Sequence, residues 1–257
     1  MSSDTKINAA SLVGPSVKRC DYIVKLCQGK DVLDLGCVRH KASVVLANPN
    51  CLHTRLRACA ASVTGVDIVS DEVAAAKAAG WNVKCADVTT PMDLQHGPFD
   101  VIVAGDLIEH LDNFAAFFLN CRRYLKAEGV LVLSTPNPFF SGLYHYVALK
   151  SDYCVNPEHT CLLGPQCLVQ LAGRQGFDVE TIRFCNDGWR LAWIITQTRR
   201  NRYDIFANTW PDNRFVARLW RWGIGMVFNV AFRVTTCCES RFVRHSDYLA
   251  VLRVKND

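Results

Sequence analysis

The sequence predicts an α/β fold built on a mostly parallel sheet with helices on both faces. Two observations carry this. Short apolar runs ending in glycine or an acid recur through residues 31–136, and segments of helical length and spacing separate them. Strands divided by helices of this length imply right-handed strand–helix–strand units, hence parallel neighbours.

The elements follow in order. Asp31-Val-Leu-Asp-Leu-Gly36 is an apolar run with the character of a strand buried on both faces. After an Asn48-Pro49-Asn50 turn, Leu52–Ala61 forms a helix, and Ser62–Ile68 is the second strand. Ser70–Gly80 is a helix with Ser70 as its cap, acids in the first turn and Gly80 as its stop. Trp81–Ala86, Phe99–Ala104 and Gly129–Thr135 are the third, fourth and fifth strands. Between the last two, Asn113–Lys126 places Phe114, Phe117, Phe118, Cys121 and Leu125 at helical spacing. Asn137–Gly164 is a long stretch rich in Tyr, His and Pro, and loops of that length are usually functional. Pro165–Gly176 is a fourth helix. Phe177–Cys185 and Ser246–Lys255 are strands that can pair as neighbours, with residues 186–245 inserted between them.

Composition narrows the class. Of 257 residues 50% are apolar and 21% charged, so the chain can bury a core and is not disordered. With 15 glycines, 9 prolines and no sustained heptad, it is neither collagen nor coiled coil. The length suits a single domain over residues 1–257 that carries the 186–245 insertion. The start, MSSDTKINAASLVG, has no apolar core of signal-peptide length. The 13 cysteines are odd in number and scattered without a Cys-x-x-Cys pair, which favours a reduced, cytoplasmic chain.

Chemistry gathers at the strand ends, where open α/β sheets bind ligands. Gly36 lets the backbone approach a ligand, and Asp67, closing Gly65-Val-Asp67, can accept two ribose hydroxyls. Asp87, after Val83-Lys-Cys-Ala, can meet an adenine amino group, and Gly105-Asp-Leu-Ile-Glu-His-Leu-Asp112 follows the fourth strand directly. In this order and spacing the series resembles the class I S-adenosylmethionine-dependent methyltransferases: Asp34-Leu-Gly36, Gly65-Val-Asp67, Ala86-Asp87, Phe99-Asp-Val-Ile…Glu109-His110-Leu and Gly129-Val-Leu-Val-Leu-Ser-Thr-Pro-Asn137. Pro157-Glu-His159-Thr…Gly164-Pro-Gln-Cys-Leu…Gly176-Phe-Asp extends the likeness to nearly the whole chain outside 186–245.

The resemblance implies a Rossmann-like sheet with an antiparallel last strand, S-adenosyl-L-methionine as cofactor, and transfer to a hydroxyl or amine. The acceptor would be a small molecule, a sugar or a lipid-linked intermediate. Asp34 and Gly36 would shape the methionine end, Asp67 the ribose, and Asp87 and Val88 the adenine, with Ile68 also in the cofactor site. Asp106 and Leu107 would line the cofactor. A hydroxyl acceptor must lose a proton, for which a histidine is the natural base. His159 leads the candidates, ahead of His110 and His145, and Tyr144, Tyr146 and Tyr153 can wall the acceptor pocket.

In ubiquinone-type O-methyltransferases a run like Asp106…Glu109-His110 is associated with a metal. Three adjacent residues on one loop favour a hydrogen-bonding role instead, and no metal is expected here. The chain departs from the family at Gly36-Cys-Val-Arg-His40, where only the first glycine of the usual run remains. Arg39 or His40 can substitute as donors to the methionine carboxylate. The departure argues against a nicotinamide dehydrogenase, whose pyrophosphate requires the later glycines. It also supports a second reading, a non-catalytic membrane-associated scaffold with a degenerate cofactor site.

The insertion holds the charge. Between Arg199 and Arg244 nine arginines face only Asp204, Asp212 and Glu239, a larger surplus than the +5 of the whole chain. Asp212–Thr235 reads as a helix with Arg214, Arg218, Arg221 and Arg233 on one stripe and Trp, Phe, Met and Val elsewhere. Its longest uncharged run, Trp222–Phe232, is too short to span a bilayer, whereas the pattern fits a helix lying on an anionic membrane surface. A nucleic-acid partner is not expected, because the arginines are confined to an apolar helix.

Overall fold

Strand β1 (Asp31–Leu35) lies at the middle of the sheet and is buried from Val32 onward. The computed structural model describes residues 8–38, 41–141, 143, 156–185, 243 and 245–255. On one side β1 pairs in parallel with β2 (Ser62–Asp67), which carries the short β3 (Val83–Cys85). On the other it pairs in parallel with β4 (Phe99–Gly105), followed by β5 (Leu125–Pro136). β7 (Asp247–Val254) then runs antiparallel between β5 and β6 (Phe177–Cys185). The order among the described residues is β3-β2-β1-β4-β5-β7-β6, seven strands with an antiparallel last strand, as the resemblance implies. Chain direction along the sheet reverses between β1 and β4, which opens a crevice at their carboxyl ends.

Six helices flank the sheet among the described residues: α1 (Arg19–Cys27), α2 (Ala42–Leu46), α3 (Leu52–Cys59), α4 (Ser70–Ala78), α5 (Phe114–Tyr124) and α6 (Pro165–Arg174). The β1–α3–β2 and β4–α5–β5 connections travel in opposite directions along the sheet. Right-handed crossovers therefore set α3 and α5 on opposite faces. On the α3 face, Ile23, Cys27 and Leu56 pack onto Val32, Val101, Val103 and Val132. The two-residue period of a strand puts Asp34 on that same face as Val32. Toward the other face, Phe117 and Phe118 of α5 are fully buried, and Phe118 meets Phe177 with ring centroids 5.4 Å apart. Each such ring contributes about 1.5–3 kcal/mol by its removal from water.

Several expectations shift in detail. Ser70 is the first residue of α4 rather than its cap. Val69 holds that position without a side-chain bond. Gly80, with φ +79°, ends the helix region as expected, and Asn113 caps α5 by accepting from the Ala116 amide at 3.1 Å. Trp81 belongs to the loop before β3 and packs with Val45, Val73 and Val83. Helices α1 and α2 were not expected, the latter because five residues are too few to show a period.

The chain divides into two compact units, one of Met1–Asn137, Glu158–Asn186 and Asp247–Asp257, the other of Pro138–Pro157 and Asp187–Ser246. The expected helix Asp212–Thr235, with Arg214, Arg218 and Arg221, lies outside the described residues, as do Arg39, His40, Tyr144, His145, Tyr146 and Tyr153.

Candidate functional site

The crevice beyond β1 and β4 is lined by Arg19, Asp34, Gly36, Cys37, His53 and Gly105 among others. Two expected residues, Asp34 and Gly36, thus meet there. Gly36 has φ +74°, a left-handed conformation that strains any other residue, and a Cβ there would lie 3.3 Å from Leu107 Cδ1. Its amide donates to the Val66 carbonyl at 2.8 Å, tying the first loop to the end of β2.

Asp67 closes β2 and is buried. One carboxylate oxygen accepts from the Val38 amide at 2.9 Å and the other from the Val69 amide at 3.2 Å. These bonds hold the loops after β1 and β2 together around a buried acid. Ile68 follows with 64% of its surface exposed, an apolar platform beside the acid. Asp87, after β3, accepts from the Thr89 amide at 2.8 Å and hydroxyl at 2.7 Å. That turn is pinned from α5, where the buried Asn120 amide donates to the carbonyls of Val88 and Thr90.

Asp106 turns the chain out of β4 with φ +52°. Its carboxylate pairs with Arg19 and accepts from the Ser134 hydroxyl at 3.1 Å. Burial works to lower the pKa of Arg19, but Asp106 overrides it and the guanidinium stays charged. Arg19 is a site residue that the sequence reading missed. It lies on α1, whose place at the crevice depends on packing against distant β-strands.

A second cluster sits just beyond. Glu109 is buried at 1% exposure; its Oε2 accepts from the Thr135 hydroxyl at 2.9 Å, while Oε1 has no hydrogen-bond partner among the described residues. Burial, with Asp106 close by, pushes its pKa up to about 7. His110 and His159 meet edge to face at 4.8 Å. Burial and then the neighbouring His110 lower the pKa of His159. Thr160 explains the meeting. Its amide donates to the Glu109 carbonyl at 2.8 Å, and its hydroxyl shares its one proton between the carbonyls of Leu111 at 2.7 Å and Glu109 at 3.0 Å. Donor atoms of Glu109, His110 and His159 all lie within 4.8 Å of one another, so among the described residues these three form a group able to hold a metal ion. Both a hydrogen-bonding and a ligating role are chemically open to Glu109 and His110.

Comparison with known proteins places this geometry. Residues 17–182 match the family described as a methyltransferase domain. The chain is 31% identical over 157 residues to a probable S-adenosylmethionine-dependent methyltransferase of Mycolicibacterium smegmatis, covering 60% of this chain and 54% of that protein. It is 30% identical over 160 residues to the ubiquinone biosynthesis O-methyltransferase of Coxiella burnetii, covering 59% of this chain and 62% of that one. The chain therefore spans little more than half the length of these curated relatives. A crystal structure of a SAM-dependent methyltransferase from Archaeoglobus fulgidus shares the fold with a TM-score of 0.53 at 19% identity, over 91% of this chain and 90% of that one.

Proposed function

The chain belongs to the class I S-adenosylmethionine-dependent methyltransferase family, and on that premise we propose that it methylates a hydroxyl or amine of a small molecule, sugar or lipid-linked intermediate. The observation that carries the reading is the crevice itself: Asp34 and Gly36 line it, Leu107 packs beside Gly36, and Asp67 braces the loop next to it.

S-adenosyl-L-methionine supplies a methyl group made electrophilic by a positive sulfur. The chain's own residues bind and orient it. Asp34 and Arg19 suit the ammonium and carboxylate of the methionine moiety. Arg19 takes the part that sequence reasoning assigned to Arg39 or His40, and the crevice thereby compensates for the glycines that are missing after Gly36. Asp67 suits the ribose, the exposed Ile68 an aromatic face, and the Asp87–Val88 turn the adenine, with Asp106 and Leu107 between. In-line alignment alone removes much of the barrier to methyl transfer.

His159 then accepts the proton that leaves the acceptor's O–H or N–H, with His110 holding its ring edge-on. Its lowered pKa leaves it neutral, the form a base requires. The match to a ubiquinone biosynthesis O-methyltransferase favours a hydroxyl as acceptor. We read Glu109, His110 and His159 as an acid–base group working without a metal; turnover that survives dialysis against a chelator supports this, and loss restored by a divalent ion transfers them to a metal site.

Titration calorimetry tests the reading. Wild-type protein should bind S-adenosyl-L-methionine, and Asp67→Ala should abolish the heat. Unchanged affinity in the variant would refute the ribose assignment. No heat with wild-type protein would favour the alternative, a membrane-associated scaffold.

A further inference from the structure

Asp34, which the reading above places at the methionine ammonium, forms a buried pair with His53, which that reading does not use. Asp34 lies on β1 and His53 on α3, with side chains 5% and 1% exposed, and His53 Nδ1 is 2.8 Å from Asp34 Oδ2. A carboxylate so deep in a sheet is costly unless it is paired. The histidine is itself held tightly. Its ring stacks on Trp81 with centroids 4.4 Å apart and planes at 26°. A Cβ on Gly65 would lie 2.6 Å from Cys37 Sγ and Val83 Cγ1 and 3.0 Å from His53 Cε1, so the glycine leaves space for the ring together with these two side chains. Both members of the pair line the crevice beside Gly36.

The pair divides the carboxylate. Oδ2 is taken by His53, and no described residue hydrogen-bonds Oδ1, although the carboxylate lines a crevice that also holds the Arg19 guanidinium. An N–H on His53 Nδ1 donated to Oδ2 fixes the plane of the carboxylate, so that one oxygen remains to accept from a cation in the crevice. Trp81 and Gly65 set the ring, the ring sets the carboxylate, and the carboxylate sets the ligand's ammonium.

Resting on the cofactor reading above, we infer that His53 is a positioning residue, which aims Asp34 at the α-amino group of the cofactor's methionine moiety. It touches no reacting atom and acts through Asp34 alone. A histidine that merely braced α3 against β1 would matter equally for every ligand of the crevice. A positioning histidine matters only for ligands that carry the amino group.

Calorimetry with two ligands separates these roles. S-adenosyl-L-homocysteine carries the amino acid, whereas 5′-methylthioadenosine keeps the nucleoside and lacks it. His53→Phe preserves an aromatic ring against Trp81 but removes the donor. It should weaken S-adenosyl-L-homocysteine about 10- to 100-fold, the size of one charge-assisted hydrogen bond, and leave 5′-methylthioadenosine within about twofold. His53→Asn, whose amide reaches the Nδ1 position, should restore most of the loss. Equal weakening of both ligands, or no weakening of S-adenosyl-L-homocysteine, overturns the inference. If His53→Phe does not fold, His53→Asn is compared with His53→Gln, whose amide reaches the Nε2 position. Affinity for S-adenosyl-L-homocysteine retained by Asn and lost by Gln supports the role, and equal affinity overturns it. Wild-type protein that binds neither ligand refutes the cofactor reading itself, a result distinct from all of these.

Discussion

Glu109 holds its two carboxylate oxygens in different circumstances, one bonded to Thr135 and one buried without a partner among the described residues. Its pKa, raised to about 7 from 4.5, has a definite consequence for stability. The folded protein holds this proton more tightly than the unfolded chain. The associated stability is therefore fully present below pH 4.5 and lost as pH rises through about 7, amounting to about 3 kcal/mol. Glu109→Gln removes that loss. Urea unfolding should find the variant gaining on the wild type by about this amount between about pH 4.5 and pH 8; a gap that does not change with pH would contradict it. His159 shifts the other way, downward from 6.5. Its ring proton should titrate below 6.5 by nuclear magnetic resonance, and His110→Ala should raise the midpoint, because His110 is one cause of the shift. Methyl transfer should fall as pH drops through the same midpoint, and His159→Ala should lower turnover on the order of 10²-fold or more with cofactor affinity unchanged. Equal turnover would remove His159 as the base.

At the scale of elements, the position of His159 is set by a hydrogen-bonded turn. Thr160 fastens the segment to the carbonyls of Glu109 and Leu111, and three residues further on the Tyr248 hydroxyl donates to Leu163 at 2.8 Å. Thr160→Val deletes the side-chain bonds while keeping the volume. It should reduce turnover about tenfold, since displacements near 1 Å can cost up to about 10²-fold. Cofactor affinity should not change, and a variant with full turnover would show that the turn is not needed.

Elements also explain what was legible in the sequence. Strands β1, β2 and β4 were, because burial leaves short runs rich in valine, leucine and isoleucine that close on Gly36, Asp67 or Gly105. The pairing of β6 with β7 was legible from two successive strand-like runs late in the chain, although the pairing of β7 with β5 on its other side was not. Thr160 was not, because a threonine in a loop reads as any polar residue until its carbonyl partners, 49 and 51 positions away, are known. Arg19 and His53 were hidden for the same reason. Their partners Asp106 and Asp34 are 87 and 19 residues distant, and only the shared sheet face brings them together. Asp34, Gly36, Asp67 and Asp87 could be picked out because strand ends are where a parallel sheet offers its ligand site.

At the scale of the whole molecule, charge and composition point to the segment 186–245. No helix among the described residues is long and apolar enough to cross a membrane. The basic stripe of the expected Asp212–Thr235 helix lies outside those residues, so its membrane role rests on sequence pattern. We propose that it docks on anionic lipid, where each arginine near the surface adds about 1 kcal/mol. The protein should float with vesicles containing phosphatidylserine and less so as salt rises. Replacing Arg214, Arg218 and Arg221 together by Glu should abolish flotation, and undiminished flotation would contradict the proposal.

The central claim is that the carboxyl edge of β1, β2 and β3 holds an adenosine-bearing sulfonium compound. A crystal grown with S-adenosyl-L-homocysteine tests it most directly. The claim predicts density for the ligand's amino acid against Asp34 and Gly36, its ribose at Asp67, and its base near Ile68 and Val88. An empty crevice at saturating ligand, or a ligand seated elsewhere on the protein, would contradict it.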